Sequence, residues 1–181
     1  MKNTSKYHPN AFIIAAVLLF FSGCKKWFKD EELTIVRQSY NGTELKLNGY
    51  YYHEKEGVIG KTYFFYRNGV MLYGIGTDTL DDDLEKYDEW FISETFLNFI
   101  KTNKRRWGLF KIHDDSIVFE RWGTTEGGFP VLRFSGNIIN DTTFRITKSE
   151  YPHHGEMYER NDVFHFHAFS PKPDSTNTFI P

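Results

Sequence analysis

The stretch TYFFYRNGVMLYGI, residues 62–75, decides how this chain folds. Two aromatic and aliphatic runs, Thr62–Arg67 and Val70–Ile75, flank Asn68-Gly69. Both central residues tolerate positive φ, so the pair predicts a two-residue type I′ turn between two strands. The rest of the chain shares this character. Aromatic residues make up 18% of it, with 18 Phe and 11 Tyr, and such side chains fit the half-buried pleated surface of a sheet.

Working outward from the hairpin, six further runs read as strands: Leu45–His53, Gly108–His113, Ser116–Trp122, Val131–Ile139, Thr143–Ser149 and Val163–Phe169. Asp114-Asp115 and Asn140-Asp141-Thr142 supply turn chemistry between later pairs. Leu109 and Lys111 alternate with Phe110 and Ile112, as Phe144 and Ile146 do with Arg145 and Thr147, so each such strand buries one face. One helix interrupts the series, from Leu80 to Lys101, with room for a break near Ser93. Thr79 with Asp82 resembles a capping box, and Asp81, Asp82 and Asp83 suit the positive end of the helix dipole. Lys101, Lys104, Arg105 and Arg106 suit its other end. The triple aspartate lacks the alternating acids and the glycine of a calcium loop.

Sequential antiparallel strands with short turns leave two edges unpaired, and closure into an up-and-down barrel removes them. The fold expected is mainly β, about eight antiparallel strands in a barrel with the helix inserted after the third. An open β-sandwich or a rolled sheet capped by the helix is the alternative. Leu47-Asn48-Gly49-Tyr50-Tyr51, and Trp107-Gly108-Leu109-Phe110 opening a hairpin through Ile117, resemble the small lipocalin-like lipoproteins of the Bacteroidetes. That resemblance implies a lipocalin-like barrel over Leu45–Lys148.

The amino terminus reads as an address. Lys2 and Lys6 precede an unbroken apolar run, Ala11–Phe21, which is shorter than the roughly 20 residues of a membrane-spanning helix. A basic head, a short apolar middle and small residues at the end form a secretory signal pattern. Phe21-Ser22-Gly23-Cys24 closes it with the only cysteine of the chain. The segment resembles a bacterial lipoprotein signal, which implies cleavage before Cys24 and acylation of its sulfur with chains such as palmitate. Two or more chains make release from a bilayer negligible, because each buried methylene contributes about 0.8 kcal/mol. Residues 1–23 are then signal peptide, 24–44 a lipidated tether with one short strand near Thr34–Arg37, 45–169 the barrel domain, and 170–181 a flexible tail. Lys29-Asp30-Glu31-Glu32 is similar to surface-export signals of such lipoproteins and reads equally as a solvated charge run. The formal charge of −2, about −4 once residues 1–23 with Lys2 and Lys6 are removed, argues against nucleic acid as a partner, since phosphate neutralisation wants a clustered basic face.

Chemistry is sparse. His165 and His167 share a strand face at a spacing that can chelate zinc or copper, and His153-His154 could add a ligand. If Phe164 and Phe166 fill a core, however, both histidines face outward and no metal is needed. The sequence carries no nucleophile motif. Glu120 and Glu126 are the nearest suspects for a pair of glycosidase carboxylates. Asp78-Thr79-Leu80, Asp115-Ser116-Ile117, Asp141-Thr142-Thr143 and Asp174-Ser175-Thr176 resemble sites that Bacteroidetes O-glycosylate. Tyr50–Tyr52 and Tyr63–Tyr66 are apolar on both faces, so one face fills a core and the other meets the helix, a ligand, a sugar or a protein.

The function expected is therefore that of a lipid-anchored envelope lipoprotein of the outer membrane, periplasmic or surface-facing. It is held through Cys24, needs no cofactor, and binds a small apolar ligand or presents a surface without catalysis. The alternatives are a structural module that engages another envelope protein and a carbohydrate-binding or carbohydrate-processing accessory protein.

Overall fold

The computed structural model describes residues 30–74, 83–125 and 127–181. The expected signal segment, Cys24 and the acids Asp78, Asp81, Asp82 and Glu126 lie outside that description. Eight antiparallel strands form a closed barrel in sequential order. They are β1 (Gly49–Lys55), β2 (Val58–Phe65), β3 (Val70–Gly74), β4 (Trp107–His113), β5 (Ser116–Trp122), β6 (Val131–Asn140), β7 (Thr143–Tyr151) and β8 (Glu156–Ala168). β1 closes on β8 with Tyr51 opposite Phe166, so no edge is left open. This is the expected lipocalin-like, up-and-down architecture, mainly β, with the helical insertion after β3. Among the described residues no helix is long and apolar enough to cross a membrane.

The insertion holds two helices in place of the single one expected, α1 (Leu84–Ile92) and α2 (Glu94–Thr102). Ser93 separates them: its backbone is extended at φ −66° and ψ 143°, and its hydroxyl accepts from the Phe96 N–H. One side chain thus ends α1 and caps α2. The Asp83 carboxylate caps α1 by accepting from the Glu85 N–H at 3.0 Å, while the expected capping box at Thr79 falls outside the described residues.

The hairpin is present over residues 62–74, but its turn differs from the expected one. The Gly69 N–H reaches the Tyr66 carbonyl and the Tyr66 N–H reaches the Val70 carbonyl, each at 3.0 Å. Only Gly69, at φ 80°, is left-handed there, so the loop has three residues with glycine at the bulge. The two-residue turn with both φ positive sits instead at Glu56-Gly57, at 55° and 75°. It joins β1 to Val58-Ile59, which sequence reading left out of the strands. Gly69 is also crowded, since a Cβ there would lie 2.2 Å from the Gln38 carbonyl oxygen. Gly69→Ala is therefore expected to cost more than the ~1 kcal/mol of the backbone term alone. Gly57→Ala, which meets nothing within 4 Å, should cost only that term, and chemical denaturation of the two variants measures the difference.

Alternation sends Tyr51, Tyr63, Phe65, Phe110, Phe119 and Phe144 inward, all at most 1% exposed. The rings fill the barrel: Phe144 stacks on Phe164 at 4.8 Å, Tyr63 meets Phe119 at 4.8 Å, and Phe65 meets Phe110 at 4.9 Å. Each buried ring contributes about 1.5–3 kcal/mol, and good ring pairs add about 0.5–1.5 kcal/mol. One end is stoppered by the chain before β1, where Tyr40 packs edge-on to Phe110 at 5.8 Å and Leu45 is buried. The opposite faces of the two aromatic runs, Tyr50 and Phe64, are covered by Phe91 of α1 and by Phe169. The helix thus takes the second aromatic face.

Sequence reading made residues 24–44 a tether and 170–181 a loose tail. The described parts of both lie along the outer wall. Ile35 and Ile180 are buried there, and the Arg37 guanidinium donates to the Pro181 carbonyl at 2.7 Å. The Lys172 ammonium donates to the carbonyls of Leu47 and Phe65 at 2.7 and 2.8 Å. No strand forms at Thr34–Arg37; that segment is held by a side chain instead. Glu120, fully buried, accepts from the Thr34 N–H at 2.6 Å, the Thr34 hydroxyl at 2.7 Å, the Ile35 N–H at 3.0 Å and the Arg133 guanidinium at 2.8 Å.

Candidate functional site

The end of the barrel away from Tyr40 is not stoppered by the chain before β1. In β5, Ile117, Phe119 and Arg121 fall two residues apart on the inner face, so the third inward side chain toward this mouth is cationic. Tyr73 stands beside it, paired with Tyr63 across β2 and β3. The Arg121 guanidinium lies 4.2 Å from the centre of the Tyr73 ring.

A second arginine arrives from the chain between α2 and β4. The Trp107 indole N–H donates to the Ile100 carbonyl at 2.8 Å, which ties the end of α2 to the start of β4. The short 3₁₀ turn Lys104–Arg106 is thereby held at the ends of β3 and β5. Arg106 is only 5% exposed and sits over the Tyr73 ring at 5.3 Å and the Phe99 ring at 4.8 Å. Tyr73 thus contacts both guanidinium groups, and such contacts contribute roughly 0.5–2 kcal/mol each. Arg105 beside them donates to the Thr124 hydroxyl at 2.7 Å.

Two hollows open here. One of about 290 Å³ is lined by Tyr73, Arg105, Arg106, Arg121, Leu132 and Tyr151 among others. The other, of about 340 Å³, is lined by Lys61, Phe134, Ser149, Glu150, Tyr158 and Arg160 and shares Arg121, Leu132 and Tyr151 with the first. The Nε atoms of Arg106 and Arg121 are buried without a hydrogen-bond partner. Burial pushes the Arg106 guanidinium down to about 10, and the charges of Arg121 and Arg105 push the same way against the favourable influence of Tyr73.

The other candidates do not converge. His167 sits 3.0 Å from an Asp88 oxygen whose partner oxygen accepts from the Tyr50 hydroxyl at 3.0 Å, which pins α1 to the barrel wall. His165 is exposed and stacks near Tyr52. His154 reaches Glu31 at 2.7 Å, and His153 reaches the Glu32 carbonyl at 3.2 Å. Among the described residues no three metal-ligating side chains are grouped. Glu120 faces the outer wall and is fully engaged there, so it lines no groove. Asp115, Asp141 and Asp174 of the three described Asp-Ser/Thr tripeptides are all exposed.

Sequence reading missed the mouth. Arg105 and Arg106 passed for dipole partners at a helix end. Arg121, two residues beyond Phe119 and four beyond Ile117, carried the one available signal, its inward phase. Comparison with known proteins brings no family model, no curated relative and no solved structure that matches this chain.

Proposed function

We propose that this chain is a lipid-anchored envelope protein that works by binding rather than catalysis, with the open mouth of the barrel as its binding site. The observation that carries this reading is the distribution of space. Aromatic rings fill the interior from the stoppered end up to Tyr63 and Phe119, and above them the hollows at Arg121 and Leu132 remain. A ligand therefore meets the barrel at its rim and not in a deep apolar cavity. Concave sites with a few convergent polar groups are where small molecules bind. The anchor is Cys24, whose acylation would hold the barrel beside the bilayer.

Two measurements test the two halves. Cys24→Ala should move the chain from the membrane to the soluble fraction of fractionated cells; a variant that stays with the lipid defeats the anchor. Leu132→Trp, which fills the space shared by both hollows, should abolish the small-molecule adducts seen by native mass spectrometry of the Cys24→Ala chain. Adducts that survive the tryptophan place binding elsewhere. A protein-interaction module is the second reading, favoured by Met157 and Tyr158, which are 62% and 47% exposed on the β7–β8 hairpin.

A further inference from the structure

We infer that the mouth takes a small organic anion, whose carboxylate or phosphate oxygens are held by Arg106 and Arg121 while its body lies against Tyr73, Leu132 and Tyr151. This rests on the mouth being the binding site and adds the chemical class of what enters it.

The argument begins with charge matching. Arg105, Arg106, Arg121 and Arg160 all line the two hollows. Among the described residues none of the four has a carboxylate within ion-pair distance. Among the described residues, the acids near the mouth are already committed. Asp162 holds Lys61 at 2.5 Å, and Glu150 is shared by Lys148 at 2.8 Å and Arg133 at 3.2 Å. A chain with a net charge of −2 thus gathers in one place four arginines that have no ion pair among the described residues. A buried cation without a partner is costly, and buried polar groups are nearly always satisfied. Arg106 is buried with an unpaired Nε, and the half-buried Arg121, which donates to the Trp122 carbonyl at 3.2 Å, has an unpaired buried Nε as well, both against one tyrosine ring.

An anion would supply the charge partner that the guanidinium groups lining the hollows lack. The planar guanidinium fork matches carboxylate and phosphate oxygens and is worth more in a partly dry site than in water. The cation–π contacts to Tyr73 fix both side chains before anything binds, so little ordering is lost on association. Tyr73, Leu132, Phe134, Tyr151 and Tyr158 give the rest of the wall a large apolar and aromatic share beside Lys61, Thr124, Ser149 and Glu150, which favours an anion carrying a flat body over a bare inorganic ion.

The test is isothermal titration calorimetry of the full chain in an uncharged detergent, with benzoate, its neutral isostere benzamide, and inorganic phosphate. Benzoate is expected to bind at least tenfold more tightly than benzamide, phosphate to compete with it, and its affinity to fall severalfold as potassium chloride rises from about 20 to 200 mM. Arg106→Gln and Arg121→Gln should each weaken benzoate at least tenfold while keeping the far-ultraviolet circular dichroism of the parent. Equal binding of benzoate and benzamide overturns the anion and leaves the mouth as the site. No binding of any probe overturns both. Unchanged benzoate affinity in the two variants overturns the arginine assignment. Should a variant fail to fold, the benzamide comparison and the salt dependence of the parent protein still decide.

Discussion

Replacing Glu120 with alanine is expected to remove about 3–5 kcal/mol of folding stability, the range for breaking a buried, hydrogen-bonded ion pair from one side. The side chain is fully buried on the outer wall and satisfies four donors from two distant segments. Alanine would leave the Thr34 and Ile35 N–H groups without their acceptor and Arg133 with Glu150, at 3.2 Å, and the Thr34 hydroxyl. It would also loosen residues 30–37, whose Ile35 belongs to the apolar cluster with Leu109, Trp122 and Val131. A domain of this size is stable by only about 5–15 kcal/mol, so the loss is a large share of the total. Glu120→Gln keeps the shape and one carbonyl acceptor and should cost less than the alanine. Urea unfolding of the three proteins measures both. A loss under about 1 kcal/mol for the alanine would show that the segment is held by Ile35 and its apolar neighbours alone.

Raising the pH above 10 is expected to unfold the protein steeply. Burial pushes the hydroxyls of Tyr50, Tyr51 and Tyr63 well above the ordinary tyrosine range, and the nearby Asp88 carboxylate adds to the effect at Tyr50. In the unfolded chain these phenols ionise near 10. The sign follows from proton counting. Below pH 10 both states hold the protons and the stability is fully present. Above it the unfolded chain releases them while the folded barrel retains them, so stability falls as pH rises. Each tyrosine contributes about 1.4 kcal/mol per pH unit, and the three together remove about 4 kcal/mol per unit. The exposed tyrosines should ionise smoothly near pH 10, and the remaining tyrosinate absorbance should then rise together with the loss of far-ultraviolet signal in one cooperative step between about pH 11 and 12. Full ionisation of all the tyrosines near pH 10 with the sheet intact would mean that these hydroxyls reach water.

Much of the barrel was legible because its information is local. The alternation in Phe144-Arg145-Ile146-Thr147 and the glycine at position 69 each act within a few residues. A run of such strands with short turns has few ways to hide its edges. The turn at Gly69 came out longer than expected because the choice between two and three loop residues depends on which carbonyl the returning strand meets. Val58-Ile59 was missed because Glu56-Gly57 lacks the asparagine or aspartate that advertises such a turn, although both residues adopt positive φ.

By itself the sequence determined which side of each strand would be apolar and where most of the turns would fall. Only the tertiary structure decided what those faces meet. Glu120 and Thr34 lie 86 positions apart, and Arg106 and Arg121 arrive at Tyr73 from separate elements. Such meetings are set by strand register and by barrel closure, where a shift of one residue reverses every side chain. Alternation states only that a residue points inward or outward, and the neighbour it finds there is a property of the closed sheet.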